Sequence, residues 1–186
     1  AAHGLETVSN VSKVGNSNHA AAFSFYANKN ITTGGEGGAL TSDNKKFIDK
    51  VRTLSLHGMN KDGWKRFQLG GKWAYDISRL GYKYNMTDLS ASFGLFQMKS
   101  VRKWHKRRLQ IVEAYNDSFD SIDGIEIPSS YQKSKNAWHL YIIKIVENTW
   151  KISRNDLIEE LNDLGIGTSV HYIPIHMHSY YKNKYK

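Results

Sequence analysis

The chain of 186 residues is 40% hydrophobic, 23% charged and 12% aromatic, the balance of a globular protein with a core and one or two domains. With no cysteine it can form no disulfide, iron–sulfur cluster or thiol nucleophile, and a reducing cytoplasm is the expected compartment. The formal net charge of +9 and a pI near 9.6 raise the question of an acidic partner, such as nucleic acid, a membrane surface or a phosphorylated substrate.

In chain order, residues 19–25 and 38–42 are predicted as short strands of a mixed sheet on either side of a turn that carries Lys29. Ser42-Asp43 offers a cap for a helix to about Leu56. Residues 58–80 are rich in glycine and aromatic side chains and lack a period, which predicts a loop acting as a substrate lid. Thr87 then caps a long helix to about Ser118, roughly 45 Å at 1.5 Å per residue. Its apolar stripe is Leu89, Phe93, Phe96, Trp104, Ile111 and Tyr115. Helical spacing puts the basic run Lys99, Arg102, Lys103, Lys106, Arg107 and Arg108 on the opposite, solvated face. No nucleic-acid module accompanies those charges, so nucleic acid is not the expected partner. No apolar run approaches the ~18 residues of a membrane helix, and no membrane contact is expected. Beyond Pro128, a strand 139–146, a helix 154–164 capped by Ser153 and stopped by Gly165, and a strand 167–173 predict a βαβ-like unit in a smaller second domain.

The chemistry is concentrated in one string. Phe23-Ser24-Phe25-Tyr26-Ala27-Asn28-Lys29-Asn30-Ile31-Thr32-Thr33 ends an apolar strand in a lysine and breaks into Gly34-Gly35-Glu36-Gly37-Gly38. Aromatic and small neighbours partly desolvate such an amine, which favours the neutral nucleophile that reacts with a carbonyl. The glycines let the backbone approach a ligand closely.

This string resembles the cofactor-lysine signature of the DegT/DnrJ/EryC1/StrS aminotransferases. Other segments match in the same order: Ala1-Ala2-His3, Leu56-His57-Gly58-Met59, Gly81-Tyr82-Lys83-Tyr84-Asn85-Met86-Thr87-Asp88, Ala137-Trp138-His139-Leu140-Tyr141, and residues 165–174. The resemblance implies an α/β chain of the fold type I class of pyridoxal-phosphate (PLP)-dependent transferases, with part of the large mixed-sheet domain and a small C-terminal α+β domain. The implied boundaries are 1–86 for the large-domain portion with its loop 58–80, 87–118 for an inter-domain helix, and 119–186 for the small domain. The family carries an acidic residue just before the stretch matching Ala1-Ala2-His3, where it pairs with the pyridine nitrogen. The chain is therefore expected to be an internal fragment, inactive by itself.

The residue roles implied are these. Lys29 holds pyridoxal 5'-phosphate covalently and shuttles the proton. His3 meets the cofactor's phenolic oxygen, and Ser24 donates to its phosphate. Lys83 or Asn85 reaches the cofactor phosphate of a neighbouring subunit, which implies a homodimer with shared active sites; charge favours Lys83. His57, Trp64 and His171 line the sugar side of the cleft. The implied reaction takes an amino group from an amino acid, by analogy glutamate, to a nucleotide-linked keto sugar, with a UDP-4-keto sugar favoured for polysaccharide or lipid decoration. A non-catalytic regulatory relative is the rival reading, and a basic nucleic-acid-binding module a more distant one. His171, His176 and His178 alternate as metal ligands on a strand do, but no carboxylate or cysteine nearby completes a set and no metal is expected.

Overall fold

The computed structural model describes all residues except 10, 11, 18, 61–68, 72, 73, 130–133, 147 and 186. Its strands are β1 (Val8–Ser9), β2 (Ser12–Lys13), β3 (Ala21–Ser24), β4 (Gly38–Thr41), β5 (Ile125–Glu126), β6 (Ser134–Lys135) and β7 (Lys144–Ile145). The helices are α1 (Lys45–Ser55), α2 (Asp88–Met98), α3 (Val101–Phe119), α4 (Arg154–Asp163) and α5 (Ser179–Lys184), with a 3-10 turn at Ile175–Met177. Two compact units result: residues 1–118 with 128–142, and residues 119–127 with 143–186.

In the first unit β3 and β4 pair antiparallel, Ala21 opposite Thr41 and Ser24 opposite Gly38. Gly38 is required there, because a Cβ would lie 2.6 Å from the Phe23 carbonyl oxygen. A second antiparallel sheet has the order β2-β1-β6, which joins residues 134–135 to the start of the chain.

Helix α1 begins one residue later than the pair Ser42-Asp43 suggests. Asn44 is the cap, its Oδ1 accepting from the Phe47 backbone N–H at 3.0 Å, while the Ser42 hydroxyl accepts from the Asn44 N–H at 3.2 Å. Two short polar side chains compete for the same turn, and the one nearer the free N–H groups wins. Asn44→Ala is expected to cost ~1 kcal/mol, read as a lower urea midpoint at unchanged slope.

The far end of α1 builds a platform. His57 (φ 56°) and Gly58 (φ 75°) turn the chain left-handed, and the Gly58 N–H returns to the Thr53 carbonyl at 2.9 Å. The last-turn carbonyls of Leu54 and Ser55 accept from the N–H groups of Tyr82 (2.7 Å) and Tyr84 (2.8 Å), and the Tyr82 carbonyl accepts from His57 at 2.8 Å. The orphan carbonyls of the helix thus fasten residues 81–85 alongside it. Tyr82 and Tyr84 stack on the outside, with centroids 5.0 Å apart and planes 2° from parallel.

The expected helix from Thr87 to Ser118 is two helices. Thr87 does cap the first, its hydroxyl accepting from the Ser90 N–H at 3.2 Å. At Lys99-Ser100 the ladder changes to i→i−3 bonds, Lys99 to Phe96 (3.3 Å) and Ser100 to Gln97 (2.9 Å), and this tighter turn separates α2 from α3. The inward stripe of α3 is also not the expected one. Val101 and Val112 are buried, and at helical spacing between them lie His105 and Arg108, whose Nδ1, Nε and Nη2 atoms are buried. Burial and the nearby Arg108 charge lower the His105 pKa, and burial lowers that of Arg108. Leu89, Phe93, Phe96, Ile111 and Tyr115 are exposed. The direction in which α3 packs, set by the tertiary structure, overrides the sum of hydrophobicity around its axis.

In the second unit β5 pairs antiparallel with β7, and Trp150 Nε1 donates to the Asp123 carbonyl at 2.8 Å. Helix α4 starts as expected at Ser153, in a reciprocal box with Asp156. It stops at Gly165 (φ 77°), with Gly165 N–H bonded to Asn162 and Ile166 N–H to Leu161. The expected strand 139–146 contracts to Lys144–Ile145, and 167–173 is not a strand. No βαβ unit forms among the described residues, because 167–173 has no ladder partner to satisfy its backbone groups.

Candidate active site

The turn that carries Lys29 is pinned on both flanks. Beyond Ser24 and Gly38 the pairing continues irregularly, Phe25 N–H to Gly37 carbonyl (2.8 Å) and Thr33 N–H to Phe25 carbonyl (3.1 Å). Lys29 N–H closes a turn on the Tyr26 carbonyl at 2.9 Å. Ile31 and Thr33 are each 2% exposed, and the Thr33 hydroxyl donates to the Glu36 carbonyl at 2.9 Å. From α2, the Gln97 amide grips Thr32 at two points, accepting from its N–H and donating to its carbonyl, both at 3.0 Å. One helical turn earlier, Gly94 is buried, and a Cβ there would stand 3.0 Å from Thr33 Cγ2. A glycine in mid-helix costs about 1 kcal/mol relative to alanine; here it permits the close approach that positions Gln97. The amine of Lys29 therefore projects, half-buried, from a loop whose next residues are locked in the core.

Its neighbour is an imidazole. Lys29 Nζ lies 3.0 Å from His3 Nε2, the His3 ring packs on the His139 ring with centroids 4.2 Å apart, and His139 Nδ1 lies 3.1 Å from Asn30 Oδ1. The Asn30 amide nitrogen donates to the Ala137 carbonyl at 3.3 Å. Residues 136–139 are held in turn by the Asn136 side chain, which accepts from the Trp138 N–H at 2.9 Å, with Trp138 in the left-handed region (φ 49°). A non-glycine residue in that region is retained only where its surroundings over-determine it.

Of the residues singled out from the sequence, Lys29 and His3 are brought into contact. Ser24 sits at the end of β3, its Oγ accepting from the Tyr26 N–H at 3.3 Å, which leaves its own hydrogen to donate elsewhere. Lys83 Nζ donates to Asn85 Oδ1, so the two candidates for one phosphate contact form a single unit. His57 is exposed at the end of α1. Trp64 lies outside the described residues. His171 belongs to the second unit, its ring 3.6 Å from that of Tyr172. Asn30, Gln97 and His139 are not legible from the sequence as site residues. The available signals are an amide next to the lysine and a histidine in the Ala137–Tyr141 string. Among the described residues no group of His, Cys, Asp and Glu could hold a metal ion.

A primary amine at a strand-end turn, an imidazole against it and a hydroxyl at the strand terminus, on this mixed α/β frame, define the class: a fold type I transferase of the PLP-dependent kind. The donor set fits that cofactor, with an amine for the aldehyde carbon, an imidazole for the phenolic oxygen and a hydroxyl for the phosphate. The model of the DegT/DnrJ/EryC1/StrS aminotransferase family matches residues 1–186, and the chain belongs to that family. It is 43% identical over its whole length to the spore coat polysaccharide biosynthesis protein SpsC of Bacillus subtilis, covering 48% of that protein, and 45% identical to the uncharacterised protein MJ1066 of Methanocaldococcus jannaschii, again covering 48%. The chain thus spans about half the length of the curated relatives it matches. Among solved structures, Spr1654 of Streptococcus pneumoniae, described as a putative sugar aminotransferase and solved in its PMP form, superposes with a TM-score of 0.85 at 36% identity, over 100% of this chain and 47% of that one. DesV of S. venezuelae shares the fold, with a TM-score of 0.83 at 23% identity over 99% of this chain and 45% of that one.

Proposed function

We propose that the protein of which this chain forms part is a PLP-dependent aminotransferase that moves nitrogen from an amino acid, with glutamate the favoured donor, to a nucleotide-linked keto sugar, a UDP-4-keto sugar in the favoured case. The observation that carries this reading is the Lys29 amine held against the His3 imidazole at the end of a pinned strand. The relationship to a spore coat polysaccharide protein supports a sugar acceptor and a role in surface polysaccharide synthesis.

When bound, pyridoxal phosphate supplies the electron sink for charge released at the donor's α-carbon. The residues of this chain do the rest. Lys29 Nζ takes the proton from that α-carbon and, in the return half-reaction, delivers one to the sugar carbon that receives the nitrogen. His3 orients Nζ before the cofactor arrives and meets the phenolic oxygen afterwards. The Ser24 hydroxyl donates to the phosphate. Lys83, its ammonium steadied by Asn85, supplies a positive point charge to the cofactor phosphate of a second subunit in a homodimer. His57, Trp64 and His171 line the sugar-nucleotide side. By sequence boundaries, residues 1–86 are the large-domain portion, 87–118 the inter-domain segment and 119–186 the small domain, from which 128–142 returns to the first unit, in a cytoplasmic enzyme.

The test is borohydride reduction of the full-length protein after addition of pyridoxal phosphate, followed by peptide mapping. A phosphopyridoxyl adduct confined to Lys29 is expected. No adduct, or labelling scattered over surface lysines, moves the assignment to a non-catalytic relative.

A further inference from the structure

The Ala137–Tyr141 string has no role in the reaction described above, yet it is hydrogen-bonded to Asn30, the residue after Lys29. Its contact there can be oriented atom by atom. The Ala137 carbonyl can only accept, so the Asn30 group 3.3 Å from it is the amide nitrogen, and Oδ1 faces His139. Oδ1 can only accept, so His139 Nδ1 carries a hydrogen. The ring so oriented is the one on which His3 lies at 4.2 Å, tilted by 38°, and His3 Nε2 is the atom at Lys29 Nζ. Which of the two donates there follows from the His3 tautomer: with its hydrogen on Nδ1, His3 accepts from the amine through Nε2.

We propose that Asn30 and His139 are positioning residues for the transamination site. Asn30 fixes the Nδ1–H tautomer and ring plane of His139, and His139 fixes the His3 imidazole that aims the Lys29 amine. The inference rests on the reading of Lys29 as the cofactor-binding amine, and it gives the string a role, the coupling of residues 109 apart in sequence. Sequence order brings Asn30 next to the lysine on the backbone, but its side chain bonds to Ala137 and His139 and not to the amine, so its influence returns through the two rings. An imidazole held by a hydrogen bond and a tilted ring contact loses freedom to swing off the amine, and aim of this kind is worth factors of about ten or more in rate.

The test uses the full-length protein with 15N-labelled histidine before cofactor is added, and the His139→Gln variant to assign the ring. His139 is expected as the Nδ1–H tautomer in the natural protein and in Asn30→Asp, which is equal in size and keeps the acceptor. In Asn30→Ala, which removes the acceptor facing Nδ1, the preference for the Nδ1–H form is expected to be lost. In parallel, phosphopyridoxyl labelling of Lys29 at limiting pyridoxal phosphate is expected to slow about tenfold in Asn30→Ala and in His139→Gln. The double variant is expected to be no slower than either single, because both break one chain of contacts. A His139 ring that is Nε2–H in the natural protein, or rate losses that multiply in the double variant, overturns the proposal. If Asn30→Ala does not fold, the tautomer in the natural protein and in Asn30→Asp decides alone. Failure of the aminotransferase reading is separate and visible: Lys29 is then unlabelled in the natural protein, whatever the tautomer.

Discussion

Lys29→Ala in the full-length protein is expected to abolish the borohydride-trapped adduct and to lower the rate of transamination by about 10⁴-fold or more, the upper range for a group that is both nucleophile and acid–base. The backbone bond from Lys29 N–H to the Tyr26 carbonyl is unaffected by the change, and the buried anchors are Ile31 and Thr33, not the lysine. The melting temperature is therefore expected to stay within a few degrees. Lys29→Arg, which keeps the charge but lacks a free amine nucleophile, is expected to be equally inactive. A small primary amine such as methylamine added to Lys29→Ala is expected to restore part of the rate, because it replaces the lost base at the donor's α-carbon. Activity of Lys29→Ala within about tenfold of the natural protein sinks the assignment of Lys29.

Gly58→Ala is the second large effect, and it acts on stability first. Gly58 is buried with φ 75°, and a Cβ there would stand 1.7 Å from the Arg79 carbonyl oxygen; on the facing segment, a Cβ at Gly81 would stand 2.1 Å from the Gly58 nitrogen. Two stretches of backbone touch through paired glycines, so neither can yield without unseating the other. A left-handed alanine costs up to ~1 kcal/mol and the overlap ~1–3 kcal/mol. The sum of about 3 kcal/mol corresponds to a fall of roughly 6–12 °C in melting temperature. Gly34→Ala separates the two contributions: φ is 91° there but nothing lies within 4 Å, so only the conformational part, about 1 kcal/mol, is expected. Because residues 81–85 carry Lys83 and Asn85, Gly58→Ala is also expected to weaken retention of pyridoxal phosphate, measured by dialysis. Equal melting temperatures for the two variants contradict the close-packing account.

Legibility in the sequence varies with the distance over which each feature is set. The strand pair around Lys29, the Thr87 and Ser153 caps and the Gly165 stop are all readable, because each depends on residues within one turn or one hairpin. The cap of α1 falls one residue past the expected pair Ser42-Asp43, since Ser42 and Asn44 both carry side chains able to close the turn. The expected single long helix breaks at Lys99-Ser100, where no proline or glycine marks the division. The expected strand at 167–173 does not form because β-propensity cannot supply a neighbouring strand.

By itself the sequence carried the resemblance to the family and its cofactor class and offered Lys29 as the candidate amine, because the matching motifs are runs of adjacent residues. The tertiary structure alone decided what surrounds that lysine. Gln97 clasps Thr32 across a separation of 65 residues, and His139 reaches Asn30 across 109. It also decided that His105 and Arg108, both polar, lie on the inward stripe of α3. Such contacts depend on where elements pack, and packing follows from the shape and hydrogen-bonding capacity of surfaces that no single segment contains.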